Sequence, residues 1–214
     1  MADPQPRLIA IDGSDGRAVS EAAVALQREL NDRQITSGVS HWDASGLFND
    51  VHSAPIAHRD LSPRTLLLLY AADLAFRLRW EIEPALERGA IVIAAPYIST
   101  AVTFGLASGL SREWLLTLLR FAPVPARTAV LREGQRDQPW KRRSDRGFGE
   151  CCTTLLEDTP EGFARRKTRG RMIGALSTAA EKHGGQYRLK DLTDLAEEIT
   201  RKKPARSAQR DYAE

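Results

Sequence analysis

Short apolar runs alternate along this chain with longer stretches in which apolar residues return every third or fourth position, and that alternation predicts strands and helices in turn. Arg7 to Asp12 is a short β-branched run suited to a buried strand, and Ala90 to Ala94, unbroken and apolar, is the clearest of its kind. Ala18 to Arg33 carries Val19, Ala22, Ala23, Leu26 and Leu30 at helical spacing; Ile35 to Trp42 reads as a second strand and Asp43-Ala-Ser-Gly46 as a turn. Ser62-Pro63 supplies the cap and first-turn proline of a long helix reaching Arg88 and ended by Gly89, with Leu66, Leu67, Tyr70, Ala71, Leu74, Leu78 and Ile82 as its apolar stripe. Ser111 caps a helix that turns Trp114, Leu115, Leu118 and Leu119 inward, and Pro123 and Pro125 precede a strand from Thr128 to Leu131. Thr159-Pro160 opens a helix running to Gly184-Gly185, Tyr187 to Leu189 is expected as an edge strand, and Leu192 to Lys202 as a last amphipathic helix. Helices alternating with strands make an α/β fold, with a mostly parallel five-stranded sheet flanked by helices in three layers.

With 214 residues and no internal repeat, the chain is expected to form one domain over 1–204, followed by a polar tail at 205–214. No stretch has the roughly 18 apolar residues of a membrane span, and Met1-Ala-Asp-Pro-Gln-Pro lacks the plan of a signal peptide, so a cytoplasmic protein with no membrane partner is expected. Cys151 and Cys152 are sequence neighbours, which disfavours a disulfide or zinc site, and His41, His52, His58 and His183 show no ligand spacing; no metal site is expected. The net charge of +3 conceals clustering. Arg136, Lys141, Arg142, Arg143 and Arg146 crowd one Gly- and Pro-containing segment, Arg165, Arg166, Lys167, Arg169 and Arg171 another, and Arg201 to Lys203 a third. A solvated charged face explains these as well as an anionic partner does. Trp140 and Phe148 would suit stacked bases, but no recognised nucleic-acid motif accompanies them.

The strongest chemical signal lies in Leu8-Ile-Ala-Ile-Asp-Gly-Ser-Asp-Gly-Arg-Ala-Val-Ser20. A phosphate-binding loop of the form G-x-x-x-x-G-K-[ST] after a strand would begin at Gly13, and its second glycine, lysine and hydroxyl then fall on Ala18, Val19 and Ser20. Gly13, Asp15, Gly16 and Ser20 keep the frame of a vestigial loop. Backbone amides and a helix N-terminus still attract an anion, but the ammonium that would bridge phosphates is absent, and one such preorganised group is worth about 10²–10³ in rate. Arg17 is the nearest cation that would substitute for it.

The order of pieces resembles the thymidylate kinase family of nucleoside monophosphate kinases, from Arg7 to Lys202. Ile11-Asp-Gly-Ser-Asp-Gly16 is similar to the family's E-G-x-D-G, Leu69-Tyr-Ala-Ala-Asp73 to F-A-A-D-R, and Ile82 to Ile93 to I-x-P-A-L-x-x-G-x-x-V-I; Phe163-Ala-Arg-Arg-Lys falls where the family has a helix after its lid. The resemblance implies a P-loop-kinase-like fold, with a basic lid-like segment at 134–158. It also implies Asp73 and Tyr97 as substrate-binding positions. The departures fall on charged positions: where the family has D-R-Y this chain has Ala95-Pro96-Tyr97, the arginine after Ala-Asp is Leu74, and Trp42-Asp-Ala-Ser-Gly46 replaces the family's E-P-G loop. The resulting expectation is a catalytically inactive or impaired relative with no required cofactor and weak or absent nucleotide binding. Its role would be as a binding, assembly or regulatory subunit of a homodimer or of a heteromer with a related chain, and the leucine-rich face from Leu66 to Ile82 is its candidate interface. The alternative is a divergent kinase using ATP and Mg²⁺ with Arg17, Arg143 and Arg146 as its charge stabilisers.

Overall fold

Parallel strands are buried on both faces, so they need side chains that are apolar at successive positions, and the unbroken runs of the sequence do form such strands. The computed structural model describes residues 5–53 and 61–131, together with Gly170, Arg171, Ala175, Asp194, Glu197, Thr200 and Arg201. In chain order the elements are β1 (Gln5–Gly13), α1 (Gly16–Asp32), β2 (Ser37–His41), α2 (Leu47–Ser53), α3 (Pro63–Arg77), a π-helical turn (Leu78–Ile82), α4 (Glu83–Glu87), β3 (Ile91–Ala95), α5 (Ile98–Ala107), α6 (Arg112–Leu118) and β4 (Pro125–Leu131). The strands form one parallel sheet in the order β2-β3-β1-β4. Among the described residues the sheet has four strands rather than the five expected; Tyr187 to Leu189 lies outside them.

Alternation along each strand divides the core in two. Ile9, Ile11, Ile91, Ile93, Ala95 and Ala129 face α1, which presents Val19, Ala23, Leu26 and Leu30. Leu8, Ala10, Val92, Ala94 and Val130 face the other way, onto Leu66, Leu67, Tyr70 and Leu74 of α3 and onto α5 and α6. Among the described elements the three layers are therefore α1, the sheet, and the helices from α2 to α6. At Gly105 the α5–α6 approach is closest, for a β-carbon there would stand 2.4 Å from Leu115 Cδ2.

The long helix begins as its sequence indicates, with Ser62 accepting from the Thr65 amide and Pro63 in the first turn. It is not one regular helix to Arg88. Pro84 has no amide hydrogen, and in an α-helix its ring would press on the carbonyl four residues back; the wider π-helical turn at Leu78–Ile82 precedes it and relieves that contact. Gly89, at φ +80°, closes the element while its amide reaches the Leu86 carbonyl and the Ala90 amide reaches that of Ala85. The same closure at the end of α1 uses Gln34, a non-glycine at φ 59°. In the two C-terminal helices expected from sequence, the described positions are helical, and Glu197 takes ion pairs from Arg33, the C-terminal cap of α1, and from Arg201.

Candidate functional site

The strand order fixes where a ligand would go. From β1 the chain crosses over β3 to reach β2, and from β3 it crosses over β1 to reach β4. These connections leave in opposite directions, so a crevice opens at the C-terminal ends of β1 and β3, the position at which open α/β sheets bind ligands. Three segments border it: the Gly13–Gly16 loop, the Ala95–Tyr97 exit from β3, and the turn after β2.

At the loop, Asp15 caps α1 by accepting from the Ala18 amide at 3.0 Å. Gly16 lies in the first turn, Ser20 is half-buried, and Arg17 faces outward with its Nε 2.6 Å from Glu21 of the next turn. Val19 is turned inward, against the loop's first residue. Only 1% exposed, it packs between α1 and the sheet, and its Cγ2 would lie 2.9 Å from a β-carbon placed on Gly13. Position 19 therefore belongs to the core rather than to the crevice.

Across the crevice, Tyr97 makes no side-chain cap for α5. That duty falls on Asp12, 85 residues earlier in the chain: one carboxylate oxygen accepts from the Tyr97 amide at 2.8 Å and the Thr100 amide at 3.1 Å, the other from the Ser99 amide at 3.2 Å. A negative charge at a helix N-terminus is favourable, and these amides would otherwise be left without intrahelical partners. The Tyr97 hydroxyl donates to the Pro123 carbonyl, and the Tyr97 carbonyl accepts from Tyr70. Burial raises the phenolic pKa of both tyrosines well above its ordinary value, with Arg77 opposing.

The turn after β2 is held in the same way. Asp73, fully buried on α3, accepts from the Asp43 amide at 2.9 Å and from the amide and hydroxyl of Ser45 at 3.0 and 2.7 Å. Asp43, at φ 58°, in turn accepts from the Phe48 and Asn49 amides at the start of α2, while Trp42 meets Phe48 edge to face. Burial raises the Asp43 pKa against the pull of those two amides.

Sequence reasoning missed Arg77. Its guanidinium is fully buried and donates to the Ser40 hydroxyl at 2.9 Å, the Ser40 carbonyl at 2.8 Å and the Pro96 carbonyl at 3.0 Å, so that it ties together the ends of β2 and β3. The Ser40 hydroxyl donates to Glu81 at 2.6 Å, placing a carboxylate one hydroxyl away from the buried cation. Beside this group, His41 has a lowered pKa, through burial first and the Arg77 charge second, with Glu81 opposing. The available signal was an arginine at position 77, three residues after Leu74, on the same buried stripe of α3 as Asp73.

Of the sequence-selected positions, Gly13, Asp15 and Gly16 lie on the loop that leaves the C-terminal end of β1, while Asp73 and Tyr97 are buried with their polar atoms on protein partners. Arg143 and Arg146, with the whole 134–158 segment and both cysteines, lie outside the described residues. Among the described residues no group of three or more His, Cys, Asp or Glu gathers to hold a metal ion, and no helix is long and apolar enough to cross a membrane. Val19 and Ala95, standing where a lysine and an aspartate would hold a magnesium-bound triphosphate, supply neither charge nor oxygen and do not fit that group.

No protein-family model matches the chain. Over 90 residues, 42% of its length, it is 45% identical to a probable thymidylate kinase of Pyrococcus abyssi, of which that stretch covers 43%. It is 29% identical over 132 residues to a probable thymidylate kinase of Pyrobaculum aerophilum, covering 58% of this chain and 62% of that one. A thymidylate kinase of Exiguobacterium is 29% identical over 183 residues, 73% of this chain and 84% of the relative. The first two matches thus span less than two thirds of those relatives.

Proposed function

We propose, for a chain related to the thymidylate kinase family, that the nucleotide-kinase frame serves here as a cytoplasmic binding, assembly or regulatory subunit with little or no phosphoryl transfer of its own. One observation carries this reading: the fixed charges around the crevice are spent inside the protein. Asp12 is on α5, Asp73 on the turn after β2 and Arg77 on two strand ends, while the lysine position is a buried valine. Phosphoryl transfer depends almost wholly on positioned charge, and hydrogen bonds already made within the fold leave little of it for a substrate.

A protein partner, a second copy or a related subunit, is supported by the outer side of α3. The Leu66 to Ile82 stripe is core, but Leu68 and Phe76 of α3 and Trp80 of the π-helical turn point away from it, 52%, 39% and 65% exposed, and leave apolar surface on the outer side of the element. A second reading, an ATP- and Mg²⁺-dependent kinase acting on a thymidylate-like acceptor, is favoured by the names of the relatives. It assigns the lost charge to Arg17, Arg143 and Arg146.

Calorimetric titration with ATP and with thymidine monophosphate, followed by a phosphoryl-transfer assay, separates the two. The subunit reading expects no saturable ATP binding and no turnover; saturable binding of both with turnover overturns it. Val19→Lys with Ala95→Asp is expected to raise nucleotide affinity while lowering the melting temperature, because Val19 leaves the core.

A further inference from the structure

The Thr100 hydroxyl stands between the two halves of the crevice. It is 1% exposed, accepts from the Gly13 amide at 3.1 Å, and donates to the Asp12 carboxylate at 2.7 Å. A hydroxyl has one proton. The charged carboxylate is the stronger acceptor and takes it, which leaves a lone pair facing the Gly13 amide. The order of donors is thereby fixed: Gly13 to Thr100 to Asp12. Gly13 is held from its other side by Val19, which leaves no room for a β-carbon. The first peptide of the Gly13–Gly16 loop thus takes its orientation from α5, 87 residues away in the chain.

We propose that Asp12 and Thr100 are positioning residues for this loop, a latch through which the start of α5 sets where the loop lies. The latch ties the two sides of the crevice into one mechanical unit. A ligand or partner that draws Tyr97–Thr100 away from Asp12 frees the Gly13 amide in the same movement. This holds whether or not the chain turns over a nucleotide, so it stands apart from the function proposed above.

Amide hydrogen exchange, followed residue by residue by NMR, tests it on Thr100→Val, which keeps the shape and loses the hydroxyl, and Thr100→Ser, which keeps the hydroxyl. In Thr100→Val the Gly13 amide is expected to exchange about tenfold faster, with faster exchange at Ser14 as well, while Leu26 and Leu30 of α1 keep their rates. Thr100→Ser is expected to restore slow exchange at Gly13. Unchanged exchange at Gly13 in the valine variant, or a serine variant indistinguishable from it, overturns the proposal. Should Thr100→Val fail to fold, Asp12→Asn carries the test: it retains one acceptor oxygen but no charge, and a Gly13 rate equal to that of the natural chain overturns the latch equally.

Discussion

Replacing Arg77 by methionine puts the brace between β2 and β3 to a quantitative test. The substitution keeps an unbranched apolar stem of similar reach, so packing loss is small. What disappears is a buried cation with three hydrogen bonds, to the Ser40 hydroxyl, the Ser40 carbonyl and the Pro96 carbonyl. Each buried acceptor deprived of its donor costs about 1–3 kcal/mol, so the two carbonyls alone give about 2–6 kcal/mol. The gain from no longer burying a guanidinium works against this, and whole buried charge networks replaced by apolar residues can come out neutral. Here only one member is replaced while its acceptors and Glu81 remain, the case in which about 3–5 kcal/mol is lost. At about 2–4 °C per kcal/mol for a chain of this size, the melting temperature is expected to fall by roughly 6–20 °C. Urea unfolding followed by circular dichroism measures the loss directly, with an unchanged denaturant slope showing that both states are otherwise intact. Arg77→Lys is expected to fall between, since one ammonium cannot span acceptors on two strands. A methionine variant as stable as the natural chain refutes the brace, because desolvation of the guanidinium would then cancel everything it holds.

Further outcomes are expected elsewhere in the fold. Gly105→Ala drives a methyl group to 2.4 Å from Leu115 Cδ2 and should cost about 1–3 kcal/mol by thermal unfolding; a neutral result would mean that the α5–α6 contact yields freely. Gln34→Gly removes the strain of an exposed side chain at φ 59° and should raise stability by about 0.5–1 kcal/mol, with a lower melting temperature counting against the left-handed closure of α1. His41 is disfavoured from charging in the folded state, below its ordinary 6.5, so the unfolded chain binds the proton first as pH falls. Its contribution is therefore present above about 6.5 and is lost as pH drops through and below that value. His41→Asn should flatten the fall in melting temperature on acidification from neutral pH, and an unaltered pH profile would dismiss the assignment.

The strands and the two large helices were legible because burial on two faces, or on one helical stripe, leaves a mark within a dozen residues. Ser62-Pro63 and Ser111 marked their helix starts because each cap is local. α2 and α5 left no such mark. The first is capped by Asp43, several residues upstream, and the second by Asp12 on another strand; α5 also opens with Ile98, Thr100, Val102 and Thr103, residues that favour strands by their branching. At the site, the missing lysine could be read from the sequence, but what Val19 does instead depends on which way α1 faces the sheet. Arg77 is unreadable for a related reason. In a chain with 31 lysines and arginines, only the fold picks out Arg77 as lying beneath two strand ends.

Two helices, α1 and α5, start beside the same crevice, and each meets a carboxylate from this chain at its positive end. Helix termini aimed into a cleft ordinarily project a field that hastens the arrival of anions. With Asp15 and Asp12 in place, that field is largely neutralised at its source, and the described walls of the crevice offer little steering. Those described walls by themselves would capture a polyanion near the unassisted diffusional rate and with only weak dependence on ionic strength, unlike a cleft whose helix ends stand bare.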